Sequence, residues 1–141
     1  MTRSVGLDVG DRRIGLAVSD PLALTAQPLC VVERQSIKAD IAAIQKALSD
    51  YEVGTMVAGL PLEMNGREGH QAEQVRKFCV RLEQATGIAV VYQDERLTSV
   101  QSERLLESAG VRRERRRGLL DKMAAALILQ AWLDSHSSRC S

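Results

Sequence analysis

The chain is poor in the residues that carry several common kinds of chemistry. Only 3% of its 141 residues are aromatic, and it has two histidines and three cysteines. The scarcity of aromatic side chains argues against a protein that recognises unpaired bases by stacking them. Cys30, Cys79 and Cys140 show no metal-ligand spacing, and their odd number favours reduced thiols in a cytoplasmic protein over a disulfide framework.

Long apolar runs and a large net charge are also missing. No apolar run is as long as a membrane span, and the first residues lead directly into a predicted strand, so we expect no membrane insertion and no signal peptide. The formal net charge is +1, so the molecule as a whole is no polycation. The length and the 45% hydrophobic content predict a single domain over residues 1–141, with a disordered tail at 136–141.

The first twenty residues hold the most unusual pattern in the chain. Bulky apolar residues alternate with small or acidic ones on both sides of a short polar turn, which predicts a β-hairpin. Its bare face carries Gly6, Asp8 and Gly10. Glycine weakens a strand interior and aspartate is a poor strand former, so this arrangement needs a reason. We infer that something large approaches Asp8 and that the glycines leave room for it.

The periodicity of the whole chain predicts the element order β-β-β-α-β-α-β-α-α. Short connections allow the first three strands to form an antiparallel meander, whereas the two strands reached through helices should run parallel to a strand already in the sheet. The predicted fold is therefore α/β, a five-stranded mixed sheet with helices on both faces. After the hairpin, the predicted segments are a strand at 29–33, a helix at 36–51, a strand at 55–59, a helix that Gly87 ends, a strand at 88–92, and helices at 98–109 and 119–133.

Three acidic residues stand at the ends of predicted elements in apolar surroundings. Asp8 lies in the first strand, Glu95 follows the fifth, and Asp121 opens the last helix, whose Ala124 and Ala125 would permit close approach to the bare face. The carboxyl ends of parallel strands form the natural crevice of such a sheet. Carboxylates gathered there repel one another, and a divalent cation removes that penalty. An oxygen-only ligand set suits Mg²⁺ or Mn²⁺ rather than zinc.

Each acid taken alone has an ordinary explanation. Asp8 could bond to strand backbone, Glu95 could pair with a neighbouring arginine, and Asp121 could be a first-turn acid favoured by the helix dipole. Their conjunction favours a site, because a loop rich in arginine at 112–117 directly precedes the third acid. A metal site with arginines nearby indicates phosphate chemistry, in which the metal activates a water and stabilises the leaving oxygen of a phosphodiester.

With these residues in view, the chain resembles the YqgF (RuvX) family of RNase H-like proteins. The resemblance covers about Val5 to Leu133, which is essentially the whole predicted domain. Singly its motifs are weak, but in this order and spacing they are highly specific. There are four motifs: residues 6–10 together with 13–20, residues 59–62 together with Asn65-Gly66, residues 94–99, and residues 121–125 together with 128–129.

The resemblance implies an RNase H-like fold and a cytoplasmic, Mg²⁺- or Mn²⁺-dependent nuclease. It makes Asp8, Glu95 and Asp121 the catalytic and metal-binding acids. Many RNase H-like nucleases gather four carboxylates for two metals, but here Lys122 directly follows Asp121. The residues that could complete the set are Asp20, Glu68 and Asp94, and those that would form a loop beside the site are Gly59, Pro61, Asn65 and Gly66.

The basic residues around these acids are expected to hold the phosphates of a nucleic acid. They are Arg12, Arg13, Arg96, Arg112, Arg113, Arg115, Arg116, Arg117 and Lys122. The residues favour an endonuclease on structured RNA, and the resemblance implies that it processes the 5′ end of pre-16S ribosomal RNA, with ribosomal precursor particles as a further expected partner. Phosphate and shape recognition do not separate RNA from DNA well.

Three alternatives stay open at this point. The protein could be a Holliday junction resolvase on branched DNA, or a nucleic-acid-binding factor with little catalysis. It could also be an ATP-binding module of the actin and Hsp70 type, which the length disfavours because such proteins need two lobes. A monomer and a homodimer are both compatible with the sequence, although a resolvase should be a symmetric dimer.

Overall fold

The fold is described from a computed structural model that defines residues 2–63, 65–94 and 113–137, with the backbone alone for 113–122 and Ser137. The predicted helix at 98–109 lies outside these ranges. Within them, none of the helices is both long and apolar enough to cross a membrane. In chain order the elements are β1 (Arg3–Val9), β2 (Arg13–Ser19), β3 (Ala26–Glu33), α1 (Ile37–Ala47), β4 (Val53–Leu60), α2 (His70–Thr86), β5 (Val90–Asp94) and α3 (Arg113–Ser137).

The five strands form one mixed sheet in the order β3-β2-β1-β4-β5. β1 pairs with β2, and β2 with β3, in antiparallel fashion because their connections are short. β4 and β5 are each reached through a helix, and they run parallel to β1 and to each other. The predicted meander and the two parallel strands are thereby confirmed.

Helices cover both faces of the sheet, as the sequence predicted. α1 and α2 lie on one face, over a core that includes Leu7, Ile44, Met56, Phe78 and Leu82. α3 lies on the other face and packs through a smaller core, whose fully buried members are Ala17, Val57, Ala125, Ile128 and Leu129. Successive residues of a strand point to opposite faces, so alternate side chains of β1 face α1 and α2 on one side and α3 on the other.

Local signals fix the ends of the first two helices. The Ser36 hydroxyl accepts a hydrogen bond from the Ala39 N–H (3.1 Å), so Ser36 is the N-cap that the sequence indicated. Gly87 ends α2 with φ of 72°, in the left-handed region where glycine carries no Cβ penalty. These caps set where each helix begins or ends beside the sheet.

β3 is longer than predicted, since it begins at Ala26 and contains Pro28. A proline lacks the N–H that a central strand needs, but β3 is an edge strand of the sheet. Its pairing with β2 also shifts register between Leu16 and Ala17, opposite Pro28. The edge position and this irregularity explain why a segment that contains a proline still forms a strand.

α3 differs most from its predicted bounds of 119–133. It begins at Arg113, so the arginine-rich segment from Arg113 onward is helical rather than a loop, and Gly118 lies within the helix. An internal glycine costs a helix only about 1 kcal/mol relative to alanine. The helix also continues to Ser137, and the His136 ring stacks on Trp132 with ring centroids 4.2 Å apart. The expected tail was therefore wrong for residues 136 and 137, while 138–141 lie outside the described residues.

Candidate functional site

The carboxyl ends of the three parallel strands meet at one edge of the sheet. Leu7 lies opposite Ala58, and Leu60 lies opposite Asp94, so Asp8 and Asp94 stand at the same edge on either side of β4. Asp8 is half-buried and pairs across the ladder with Gly15 of β2. The sequence thus placed Asp8 correctly in the crevice that parallel strands form.

The large group that approaches the bare face of β1 is α3 itself. A Cβ atom added to Gly6 would lie 2.5 Å from the Ala125 carbonyl oxygen and 2.8 Å from Leu129 Cβ. Both distances are far below ordinary van der Waals contact, so the helix could not lie this close to any residue but glycine. The expected approach of the alanine-rich helix segment to this face is confirmed at Gly6 and Ala125.

The direction of α3 brings its amino-terminal half toward Asp8. The Gln130 side chain accepts a hydrogen bond from the Ala26 N–H and donates one to the Leu24 carbonyl (both 2.9 Å), at the sheet edge remote from Asp8. Because Ala125 contacts Gly6, residues before Ala125 lie progressively nearer the carboxyl end of β1. The backbone of Asp121 is one helical turn, about 6 Å, farther in that direction.

Asp8 lines a polar cavity of about 120 Å³ at this edge. A larger cavity of about 590 Å³ adjoins it, and the two share Asp11, Arg34, Gln71 and Gln74 in their linings. The amino termini of α1 and α2 border the larger cavity through Ser36, Ile37, His70 and Gln71. Helix amino termini carry partial positive charge, so both favour an anion in the space between them.

Arg34, which is half-buried, and the buried Asp40 form an ion pair that sequence reasoning missed. Asp40 is only 2% exposed, and its carboxylate accepts hydrogen bonds from Arg34 Nε (3.2 Å) and from the Gln35 N–H (2.9 Å). The Arg34 Nη1 donates to the Gly10 carbonyl (2.9 Å). A signal was available, because Asp40 falls within the apolar stripe of α1, beside Ile41 and one turn before Ile44, where a buried acid needs a partner.

The predicted site loop is placed only in part beside Asp8. Pro61 lines the Asp8 cavity. Gly59 belongs to β4 rather than to a loop, because that strand continues to Leu60. Asn65 and Gly66 form an exposed turn, in which the Asn65 side chain accepts a hydrogen bond from the Arg67 N–H (2.9 Å) and Gly66 has φ of 82°.

Of the three candidates for a fourth carboxylate, Asp94 lies at the same end of the sheet as Asp8. Asp20 follows β2 at the opposite end of the sheet, and hydrogen bonds from the backbone N–H groups of Thr25, above all, and of Leu24 and Leu22 hold its pKa below the usual value. Glu68 is engaged in an ion pair with Arg76. Position therefore favours Asp94 over the other two.

The remaining predicted residues are distributed as follows. Arg12 is exposed in the β1–β2 turn, and Arg13 forms an ion pair with Glu33 (3.1 Å). Glu95, Arg96 and Arg112 lie outside the described residues. Among the side chains that the structure does describe, no three acidic, histidine or cysteine groups gather as metal ligands. The residues that lie in the first turns of α3, where the backbone alone is defined, are Arg113, Arg115, Arg116, Arg117, Asp121 and Lys122.

Two solved Holliday junction resolvases share this fold. RuvC of T. thermophilus, in complex with a Holliday junction substrate, superimposes with a TM-score of 0.61 at 16% sequence identity, over 98% of this chain and 97% of RuvC. The Holliday junction resolvase of fowlpox virus gives a TM-score of 0.58 at 10% identity, over 96% and 99% of the two chains. The fold is therefore the RNase H-like fold of RuvC-like resolvases.

Sequence comparison narrows this class to one family. The model of the RuvX family, described as Holliday junction resolvase, matches residues 2–135. A Myxococcus xanthus protein named "Putative pre-16S rRNA nuclease" is 51% identical over 95% of this chain and 89% of its own length, and one of the same name from Clostridium novyi is 47% identical over 94% and 98%. The chain belongs to the RuvX family.

Proposed function

We propose that the protein is an endonuclease that hydrolyses phosphodiester bonds in structured RNA, with precursor 16S ribosomal RNA as its substrate and the 5′ end as the processed end. The observation that carries the proposal is Asp8, a half-buried acid at the carboxyl end of β1 in a RuvC-like sheet, which lines a polar cavity and belongs to the face of β1 that α3 covers. The name shared by the bacterial relatives supports this choice of substrate. Such a substrate places the protein in the cytoplasm, acting on free RNA or on ribosomal precursor particles.

The residues around Asp8 fit a hard divalent cation. The described lining of its cavity includes two acids, Asp8 and Asp11, and two amides, Gln71 and Gln74, but no histidine or cysteine, and its one cation, Arg34, is paired with Asp40. Asp8, Glu95 and Asp121 would hold Mg²⁺ or Mn²⁺, with Asp94 as a candidate fourth ligand. When bound, the metal supplies an activated water and offsets the negative charge that develops on the phosphate.

The protein's own groups would bind and orient the nucleic acid strand. The two helix amino termini at the larger cavity attract a phosphate, and Gln71 and Gln74 offer amide donors and acceptors beside Asp8. We place the nucleotides next to the scissile bond in this cavity. The arginines in the first turns of α3 extend the same contacts along the phosphate backbone.

A substrate panel tests the function. The purified protein is incubated with Mg²⁺, Mn²⁺ or a chelator, and with a precursor 16S RNA that carries its 5′ extension or with a four-way DNA junction. We expect metal-dependent cleavage of the RNA near the mature 5′ end and little cleavage of the junction. Failure to cut the RNA with either metal would contradict the proposal.

A resolvase of branched DNA is the second candidate, because the matching family model is described as Holliday junction resolvase. Such an enzyme places two sites symmetrically across a junction and should be a dimer. Preferential cutting of the junction, together with a dimeric mass in solution, would favour this function over RNA processing. A monomer that cuts only RNA would exclude it.

A further inference from the structure

The pairing of β1 with its two neighbouring strands ends at different residues. Within the described ladders, the last pair between β1 and β4 is Leu7 with Ala58, whereas pairing with β2 continues to Val9. Asp8 is therefore beyond the last β1–β4 pair. The β1–β2 turn follows directly, and the Gly10 N–H closes it by donating to the Arg13 carbonyl (2.9 Å).

Arg34 fastens that turn to both helices on one face of the sheet. Its backbone N–H donates to the Arg12 carbonyl (2.8 Å), and its Nη1 donates to the Gly10 carbonyl (2.9 Å). The guanidinium also lies over the ring of Phe78 in α2, 5.1 Å from the ring centroid. One side chain thus connects the residue two places after Asp8 to the buried core.

Asp40 fixes the orientation of this guanidinium. Its buried carboxylate accepts from Arg34 Nε, which leaves Nη1 directed at Gly10. A planar guanidinium can make these two contacts at once, whereas the compact ammonium of lysine cannot reproduce the fork. Because Asp40 neutralises its charge, Arg34 is suited to hold protein backbone rather than to bind a phosphate.

We propose that Arg34, held by Asp40, is a positioning residue that keeps Asp8 in place for phosphodiester cleavage. This inference rests on the proposed nuclease function. A mutation near a site usually affects both the chemical step and substrate binding. Loss of the Arg34 contact with Gly10 should instead impair the chemical step and leave substrate binding intact. A displacement of about 1 Å in a catalytic group can cost on the order of a hundredfold in rate.

The test compares Arg34→Lys with Arg3→Lys. Arg3 makes matched contacts at the opposite end of β1, where its Nη1 donates to the Ser19 carbonyl (3.1 Å) and its guanidinium lies over Tyr51 (5.3 Å). We expect Arg34→Lys to lower kcat about tenfold to a hundredfold with KM changed less than about twofold. Arg3→Lys should leave kcat unchanged although it removes the same kind of contact.

Asp40→Asn supplies a second variant, which should reproduce the loss in kcat because asparagine has one acceptor oxygen and no charge, so it cannot accept from both Arg34 Nε and the Gln35 N–H. The inference is overturned if Arg34→Lys leaves kcat unchanged, if it raises KM instead, or if Arg3→Lys lowers kcat equally. In the last case the loss reflects general destabilisation of the sheet.

A readout without catalysis distinguishes this inference from the function on which it rests. Hydrogen exchange of the Gly10 amide reports whether the turn stays closed. We expect faster exchange at Gly10 in Arg34→Lys and unchanged exchange in Arg3→Lys. If the wild-type protein cleaves no substrate, the proposed function is wrong. Faster exchange at Gly10 in Arg34→Lys would still show that Arg34 keeps the turn closed. Unchanged exchange would overturn that role of Arg34.

Discussion

At the scale of single residues, the surroundings of each acid decide what it can do. Asp40 is buried and fully engaged by Arg34 and Gln35, so it serves the fold. Asp20 accepts hydrogen bonds from backbone N–H groups of the following loop, above all that of Thr25, which hold its pKa low, so its role is to stabilise a turn. Asp8 is half-buried and lines a polar cavity at the crevice of the sheet, where a metal and a phosphate could both reach it.

The thiol of Cys79 gives a prediction at this scale. Burial raises the pKa of Cys79 to about 12, and the thiolate is the form that reacts with alkylating agents. Since a raised pKa keeps the thiol protonated far above neutral pH, we expect iodoacetamide to label Cys79 very slowly in the native protein between pH 7 and 9. Peptide mapping by mass spectrometry, with and without urea, measures this.

The half-buried Cys30 is the internal control for that experiment. Labelling of Cys79 should become as fast as that of Cys30 once urea unfolds the chain. Native labelling of Cys79 at the rate of Cys30 would contradict the burial of the Cys79 thiol in the core.

Sequence reasoning found residues whose unusual pattern lies within a few neighbouring positions, and it missed residues whose contacts join distant parts of the chain. Asp8 was recognisable because its oddity, a carboxylate among strand glycines, lies within five residues. The tie from Arg34 to Gly10 joins residues 24 positions apart, and only the folded chain brings them together. Glu95 and Asp121 remain predictions as metal ligands, since their side chains lie outside what the structure describes.

At the scale of elements, the contact between β1 and α3 decides the geometry of the site. The hairpin, the meander and the parallel strands followed from periodicity and connection length. The bounds of α3 did not, because Gly118 interrupts the local helical signal although arginine is itself a good helix former. Packing of the apolar residues from Ala125 to Leu133 stabilises the helix.

Gly6→Ala tests that contact. The added Cβ would meet the Ala125 backbone at 2.5 Å, and backbone cannot yield as a flexible side chain can. We expect the free energy of unfolding in urea to fall by about 1–3 kcal/mol, as for other overpacked cores. Cleavage should fall as well, because α3 would have to move away from β1 and carry the Asp121 backbone with it.

Gly54→Ala is the matched control on β4. Its added Cβ would lie 3.0 Å from side-chain atoms of Thr2, an exposed residue that can shift. The control should lose no more than about 0.5 kcal/mol, in the range of ordinary surface substitutions. Equal losses in the two variants would contradict the close packing of α3 on Gly6.

At the scale of the whole molecule, the two ends of the sheet differ in character. The carboxyl edge carries Asp8, Asp94, the two cavities and the approach of the arginine-bearing turns of α3. The opposite edge carries Asp20, the Gln130 contacts and the Arg3 contacts, which join elements to one another. A net charge of +1 therefore conceals a local concentration of arginines toward the proposed nucleic-acid side.

The central claim is that Asp8 serves catalysis rather than folding, and the most direct measurement compares Asp8→Asn with Asp50→Asn. Asp50 is exposed and precedes β4 at the opposite edge. In Mg²⁺ with precursor 16S RNA, we predict that Asp8→Asn lowers the cleavage rate about a thousandfold or more, because the amide keeps the shape of the side chain but loses the charge that would hold the metal. RNA affinity and the midpoint of unfolding in urea should stay near those of the wild type. Asp50→Asn should cleave like the wild type. Undiminished cleavage by Asp8→Asn would contradict the account.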